Sequence, residues 1–355
     1  MRSSSSEAPE PMETAFTRLS GATYPIANAG MSYVAGVEMV VAVSDAGGYG
    51  VLGGINYSPN ELREAIREIQ RRTDRPFGVD LVGDRHALEP PPEFRARMDA
   101  VKRRVEEVGE LHGELANYLS PERMQEQIQV VFDEHVPVLV SALGDPSWLV
   151  PLATRAGAEV WAVVGNARQA RRAAAGGATV IIAQGYDGGG HTGVIGTLSL
   201  VREAAATVDV PVLAAGGIGD GHGLAAALSL GAAGAWVGTR FVACHEAEVH
   251  ANFVARVLAA TMEDSVITRS YTGRSARALK DEWIAQYAGR EHELEYPDQI
   301  AVSAKVVFAA FDSDRPGMVN AGQGVGLVNE MRSSREIIHG MVNEARAVLG
   351  GLASI

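Results

Sequence analysis

The 355-residue chain holds a single cysteine, Cys244. One thiol excludes an intramolecular disulfide and any zinc site built on several cysteines, and it suits a reducing compartment. Basic clusters are missing too. The formal net charge is −12, and pairs such as Arg71-Arg72 and Arg103-Arg104 sit beside glutamates on amphipathic stretches. That excludes the basic stripe of a nucleic-acid or anionic-membrane surface. No apolar run is long enough to span a bilayer, because the one over 208–243 is broken by Asp220, His222 and several glycines. The opening MRSSSSEAPEP lacks the apolar core of a signal peptide. Residues 1–20 are expected to be a disordered lead-in, and the protein is expected to be cytoplasmic, with neither nucleic acid nor membrane as a partner. No fixed-period repeat is present.

What is abundant is glycine, 40 residues of it, mostly at the ends of apolar runs. Those runs alternate with helical patterns along the chain. Strands are predicted over 24–30, 49–55, 77–82, 136–143, 159–164, 180–183, 210–215 and 233–237. Helices are predicted between them, such as the one opened by Ser58-Pro59 as N-cap and first turn. Eight strand-then-helix units within about 235 residues match a (β/α)8 TIM barrel. Residues 83–133 are too long and charged for one connection. With Val101, Val105, Val108, Leu111 and Leu115 at helical spacings, they read as a helical insertion after strand 3. The barrel is expected over 21–260, and 261–355 as an appended C-terminal segment packing on it.

Three patterns resemble motifs and fail in context. GYGVLG at 48–53 matches a dinucleotide fingerprint but runs from helix into strand, the wrong order. His245 and His250 are five residues apart, about 140° around a helix, so they do not form a zincin pair; no metal site is expected. Asn56-Tyr57-Ser58 is a sequon without any sign of secretion.

Chemistry is expected at the strand ends. The sixth strand runs into Gln184 and then GYDGGGHTG, which holds Gly188, Gly189 and one titratable group, His191. The seventh ends in Gly216-Gly217 and the eighth in Gly238-Thr239, where a barrel of this kind binds phosphate on backbone N–H groups. The first ends in Ala29-Gly30-Met31, a wall on which a flat ring can lie. A phosphorylated, flat cofactor fits this set, and FMN fits best. Asp80 and Gln184, near the ends of strands three and six, are candidates to hydrogen-bond it; Asp80 reads equally well as a structural carboxylate.

PIANAGM, SDAGGYGVLGG, FGVD, AQGYDGGGHTG, VPVLAAGGIGDG, VGTRF, TRSYTGRSAR and AGQGVG occur in this order. Together they make the chain resemble the nitronate monooxygenase family, once called 2-nitropropane dioxygenases, which includes the FMN-type enoyl-ACP reductases. The resemblance implies an FMN-binding TIM barrel. It implies FMN phosphate on Gly216, Gly217, Gly238 and Thr239, and the isoalloxazine along Ala29, Gly30 and Met31. Gln184 and the glycines before His191 would contact ring and ribityl. His191 would stand over the ring as general base or substrate-orienting group, with Gln323 of AGQGVG at the ring edge. The third-strand position, often an amide in that family, is Asp80 here. The implied activity is oxidation of alkyl nitronates or propionate 3-nitronate with O2. An NAD(P)H-dependent reductase of enoyl-ACP, enoyl-CoA or related thioesters is the alternative, and a homodimer stays open.

Overall fold

The computed structural model describes residues 8–107, 120–307, 309–312 and 317–353. Eight parallel strands form a single sheet: Ile26–Asn28, Gly50–Gly53, Phe77–Val82, Val138–Ala142, Glu159–Val164, Val180–Gln184, Val212–Ala215 and Gly234–Val237. From the second strand to the eighth, each pairs with the next in chain order, and the eighth pairs with the first. A parallel bridge between Ala27 and Tyr49 links first to second and closes the ring. The strands form because their apolar runs are buried on both faces. Val180, Ile181, Ile182 and Ala183 are fully buried, and such a run has no solvent face to keep polar.

The connecting helices follow local rules. In Pro59–Arg72 the Ser58 hydroxyl accepts from the Glu61 N–H, and the Glu61 carboxylate accepts from the Ser58 N–H. Leu62, Ala65, Ile66 and Ile69 then face the barrel. The terminal helix Ser334–Leu352 carries the same kind of box between Ser333 and Glu336 and packs against Gly221–Ser229. Among the described residues no helix is long and apolar enough to cross a membrane.

The lead-in differs from expectation. Residues 1–7 lie outside the described residues, but Ala15–Ser20 is a helix whose Phe16 is fully buried. Phe16 meets Tyr49 and Trp161 edge-on, with ring centroids 6.1 and 5.4 Å away. Tyr49 immediately precedes the second strand and Trp161 lies early in the fifth, so the helix plugs the N-terminal end of the barrel. One aromatic in a short polar stretch carries no periodicity, which is why the sequence pattern hid it.

Of the insertion, Pro92–Glu107 is helical and Pro121–Asp133 returns to the barrel, packing on Pro59–Arg72 and the third strand. Val108, Leu111 and Leu115 lie outside the described residues. Met98, Val101 and Val105 do not join the barrel core. They form a separate cluster with Tyr271, Ala278, Ala304, Val307 and Met318 of the C-terminal segment.

That segment contains the antiparallel pair Ser265–Thr268 and Ala276–Leu279. Its third strand comes from the barrel: Gly190–His191, paired with Ala276 and Arg277.

Phe16→Ala is expected to lower stability by about 3–5 kcal/mol, the cost of emptying a buried aromatic site. Urea unfolding of the purified protein measures it, and a loss under about 1 kcal/mol would show that the plug is not part of the core.

Candidate functional site

His191 leaves the C-terminal end of the sixth strand on a loop fixed at both ends. Its backbone pairs with Ala276, and its carbonyl accepts a 2.9 Å hydrogen bond from the Gln184 side-chain amide. The imidazole Nε2 lies 3.1 Å from Thr272 Oγ1. The Thr272 hydroxyl can accept from a protonated Nε2, with its own proton on the Arg274 carbonyl 3.4 Å away, or donate to a bare Nε2; the two tautomers leave Nδ1 as acceptor or donor respectively.

Burial, and secondarily the positive charge of Arg274, push the His191 pKa down to about 4. The ring is therefore neutral at physiological pH. It remains able to accept a proton or a hydrogen bond.

His191 and Gln184 line a cavity of about 840 Å³ above strands four to six. Leu143, the residues from Val163 to Asn166, and those from Thr192 to Ile195 make its barrel-side wall. Arg269, Gly273, Arg274, Ser275, Glu295 and Tyr296 make the other. The cavity is thus shared between barrel and C-terminal segment.

The remaining candidates form a band beside it. Gly30 is pressed on Asp80: a Cβ at residue 30 would lie 2.2 Å from Asp80 Cβ. Gly238 stands beside Met31 Sδ and Ala29 Cβ, and a Cβ at Gly216 would lie 2.9 Å from the Gly188 nitrogen. Thr239 Oγ1 accepts the Gly322 N–H at 2.9 Å. A Cβ at Gly189 would meet the Ala321–Gly322 peptide at 2.9 Å. Gln323 is held by its backbone N–H on the Asp187 carbonyl, 2.8 Å. Ala29, Gly30, Met31, Asp80, Gly188, Gly189, Gly216, Gly217, Gly238, Thr239 and Gln323 are therefore neighbours in series around the mouth, but none of them lines the His191 cavity.

Two features of this band bear on ligands. Gly216 and Gly217 have φ of +107° and +73°, a turn that L side chains strain to adopt. Among the described residues no acceptor serves the backbone N–H groups of Gly216, Gly217, Gly238 or Thr239; Gly217 is exposed and the other three are half-buried. The Asp80 carboxyl also has no hydrogen-bond partner among the described residues, and burial raises its pKa well above the usual range.

Thr272, Arg274, Arg269 and Tyr296 were not singled out from sequence. The first three lie in TRSYTGRSAR, where two arginines flank a glycine turn. Tyr296 carried no local signal, because it reaches the cavity only through the packing of the C-terminal segment.

A family model described as nitronate monooxygenase matches residues 13–344. A nitronate monooxygenase of Pseudomonas aeruginosa is 33% identical, over 94% of this chain and 100% of that one. A (3aS,4S,5R,7aS)-5-hydroxy-7a-methyl-1-oxo-octahydro-1H-indene-4-carboxyl-CoA dehydrogenase of Rhodococcus jostii is 33% identical, over 77% and 67%. Among solved structures, FabK of Thermotoga maritima superposes with a TM-score of 0.79 at 30% identity, covering 97% of this chain and 99% of that one.

The His191 ring is expected to titrate with a midpoint near 4, read from its nitrogen resonances by NMR. Its folded pKa lies below the unfolded value near 6.5. The unfolded chain therefore binds the extra proton first, and this histidine's contribution to stability, complete above about pH 6.5, is lost as pH falls towards 4. A midpoint at or above the unfolded value would overturn the assignment of a neutral, desolvated ring.

Proposed function

The chain belongs to the nitronate monooxygenase family, and from that premise we propose that it is an FMN-dependent oxidoreductase that oxidises alkyl nitronates or propionate 3-nitronate with O2. The observation that carries this reading is the band of unclaimed backbone N–H groups next to the cavity that holds His191. Amides at the ends of adjacent strands suit a phosphate dianion, and FMN ends in one. Gly216, Gly217, Gly238 and Thr239 would hold that phosphate. Ala29, Gly30 and Met31 would flank the ring system, and Asp80, Gln184, Gly188, Gly189 and Gln323 would meet its polar edge and ribityl chain. When bound, FMN supplies the electron-accepting chemistry that no amino-acid side chain provides.

The chain's own residues do the rest. The neutral His191 ring takes the α-proton from a neutral nitroalkane on its unprotonated nitrogen or meets a substrate donor. Gln184 holds the carbonyl of the same residue and so fixes the loop relative to the strand end. The single buried thiol fits a cytoplasmic enzyme.

A second reading is favoured by size. A cavity of about 840 Å³ exceeds what a small nitronate fills, and the CoA-ester dehydrogenase among the relatives acts on a bulky thioester by its name. In that reading NAD(P)H would be the electron donor and an enoyl-ACP or enoyl-CoA thioester the substrate.

Anaerobic mixing of the flavin-loaded protein with propionate 3-nitronate, NADH and NADPH separates the two. Rapid bleaching of the flavin by the nitronate is expected; bleaching by a pyridine nucleotide alone transfers the assignment to the reductase. His191→Ala is expected to keep the flavin spectrum and lose ~10²–10⁴-fold in turnover. Unchanged turnover removes His191 from the reaction.

A further inference from the structure

The wall of the cavity facing His191 carries two arginines, Arg269 and Arg274. Arginines on the neighbouring insertion helix meet carboxylates, as Arg95 and Arg97 do. Among the described residues no carboxylate pairs with Arg269 or Arg274. Arg269 donates from Nε to the Gly273 carbonyl at 2.8 Å. Arg274 instead lies with its guanidinium 3.9 Å from the ring centroid of Tyr296. A face-on aromatic holds a guanidinium plane without occupying its five N–H donors. Its influence reaches His191, whose proton affinity it lowers.

The position of Tyr296 is set from elsewhere in the chain. Phe94, at the start of the insertion helix Pro92–Glu107, stacks on it, with centroids 6.0 Å apart and planes 30° apart. Arg97 of the same helix pairs with Glu295 at 3.4 Å and with Asp298, on either side of Tyr296. Glu295, which lines the cavity, thus pairs with Arg97, and no ion pair between it and Arg274 is present among the described residues. Gly273, at φ +79°, brings the arginine loop directly onto the Glu295–Tyr296 peptide, where a Cβ would lie 2.3 Å from the Glu295 carbonyl carbon. A continuous path therefore runs from the insertion through Phe94, Tyr296 and Arg274 to Thr272 and His191.

We propose that Arg274 binds the planar two-oxygen anion of the substrate beside His191, and that the insertion helix fixes its position through the Phe94–Tyr296 stack. The proposal rests on the nitronate reading above for the identity of the substrate, since a nitronate and a carboxylate both present two coplanar oxygens to the guanidinium fork. Arg274 contacts substrate; Phe94 and Tyr296 are positioning residues.

The test uses the flavin-loaded enzyme. Arg274→Gln is expected to raise KM for propionate 3-nitronate about 10- to 100-fold, the loss of one charge-assisted bidentate contact, with little change in kcat. Ethyl nitronate, which lacks the carboxylate, identifies the oxygen pair: an equal rise in KM assigns the nitronate, and no rise assigns the carboxylate. Phe94→Ala is expected to raise KM in the same direction by a smaller factor, and Phe94→Tyr to restore it. Arg274→Lys keeps the charge without the fork, stands in should the glutamine variant fail to fold, and is also expected to raise KM for propionate 3-nitronate.

A second measurement needs no turnover. Sodium propionate and sodium nitrate are titrated into wild type and Arg274→Gln while the His191 ring resonances are followed. Wild type is expected to bind at least one of these anions about tenfold or more tightly than the variant. Should the enzyme oxidise no nitronate, the functional reading falls while this titration still decides the role of Arg274. Equal anion affinity in the two proteins, or unchanged KM for both nitronates, overturns the proposal.

Discussion

The site depends on a strand of two residues. Gly190–His191 leaves the barrel and pairs with Ala276 and Arg277 of the C-terminal sheet, so the backbone that carries the histidine belongs to two structures at once. On the barrel side it is tethered by the Gln184 amide. On the other, Arg277 spans the junction, donating to the Tyr186 carbonyl at 2.5 Å and the Ser265 carbonyl at 2.7 Å. A side chain fixed by a sheet pairing and a hydrogen-bonded ring is held far more tightly than one on a free loop. Without that pairing the GGGH turn would be a flexible connection, and Thr272 and Arg274 would have no fixed relation to His191. The barrel supplies a strand end; the C-terminal segment turns it into a site.

Glycine has a double meaning in this chain. From sequence, the glycines at the strand ends read as room for a ligand. Several also make room for the protein. Gly30 exists to admit Asp80, and Gly189 to admit the Ala321–Gly322 peptide. At Gly216, Gly217 and Gly238 the N–H groups have no acceptor among the described residues, which is the feature that the ligand reading rests on. The two meanings cannot be told apart in a sequence, because both require only the absence of a Cβ.

The same distinction separates the parts of the structure that were legible beforehand from those that were not. The buried strands were legible, since short unbroken apolar runs bounded by glycine and alternating with helical patterns fit little besides a parallel sheet. The third and fifth fell at 77–82 and 159–164 as expected. Caps such as Ser58 with Glu61 were legible because their partners are three residues apart. Phe16, Tyr296 and the strand at Gly190–His191 were not. Their roles rest on partners distant in sequence, and nothing local in composition or spacing marks them. His191 itself was visible as a residue, but its protonation state was not, since burial and the Arg274 charge are both products of the fold.

That protonation state divides the work. A neutral histidine can accept a proton but offers an anion no charge, whereas an arginine offers a full charge but never accepts a proton at physiological pH. Two groups with separate tasks avoid the conflict that one group would face, since a histidine already charged by an anion has no lone pair left to give. The arrangement also couples the tasks. Arg274 lowers the proton affinity of His191 while the cavity holds no anion. An anion held on its guanidinium, as proposed, would cancel that field and add its own, and both changes would raise the affinity of the His191 ring for a proton.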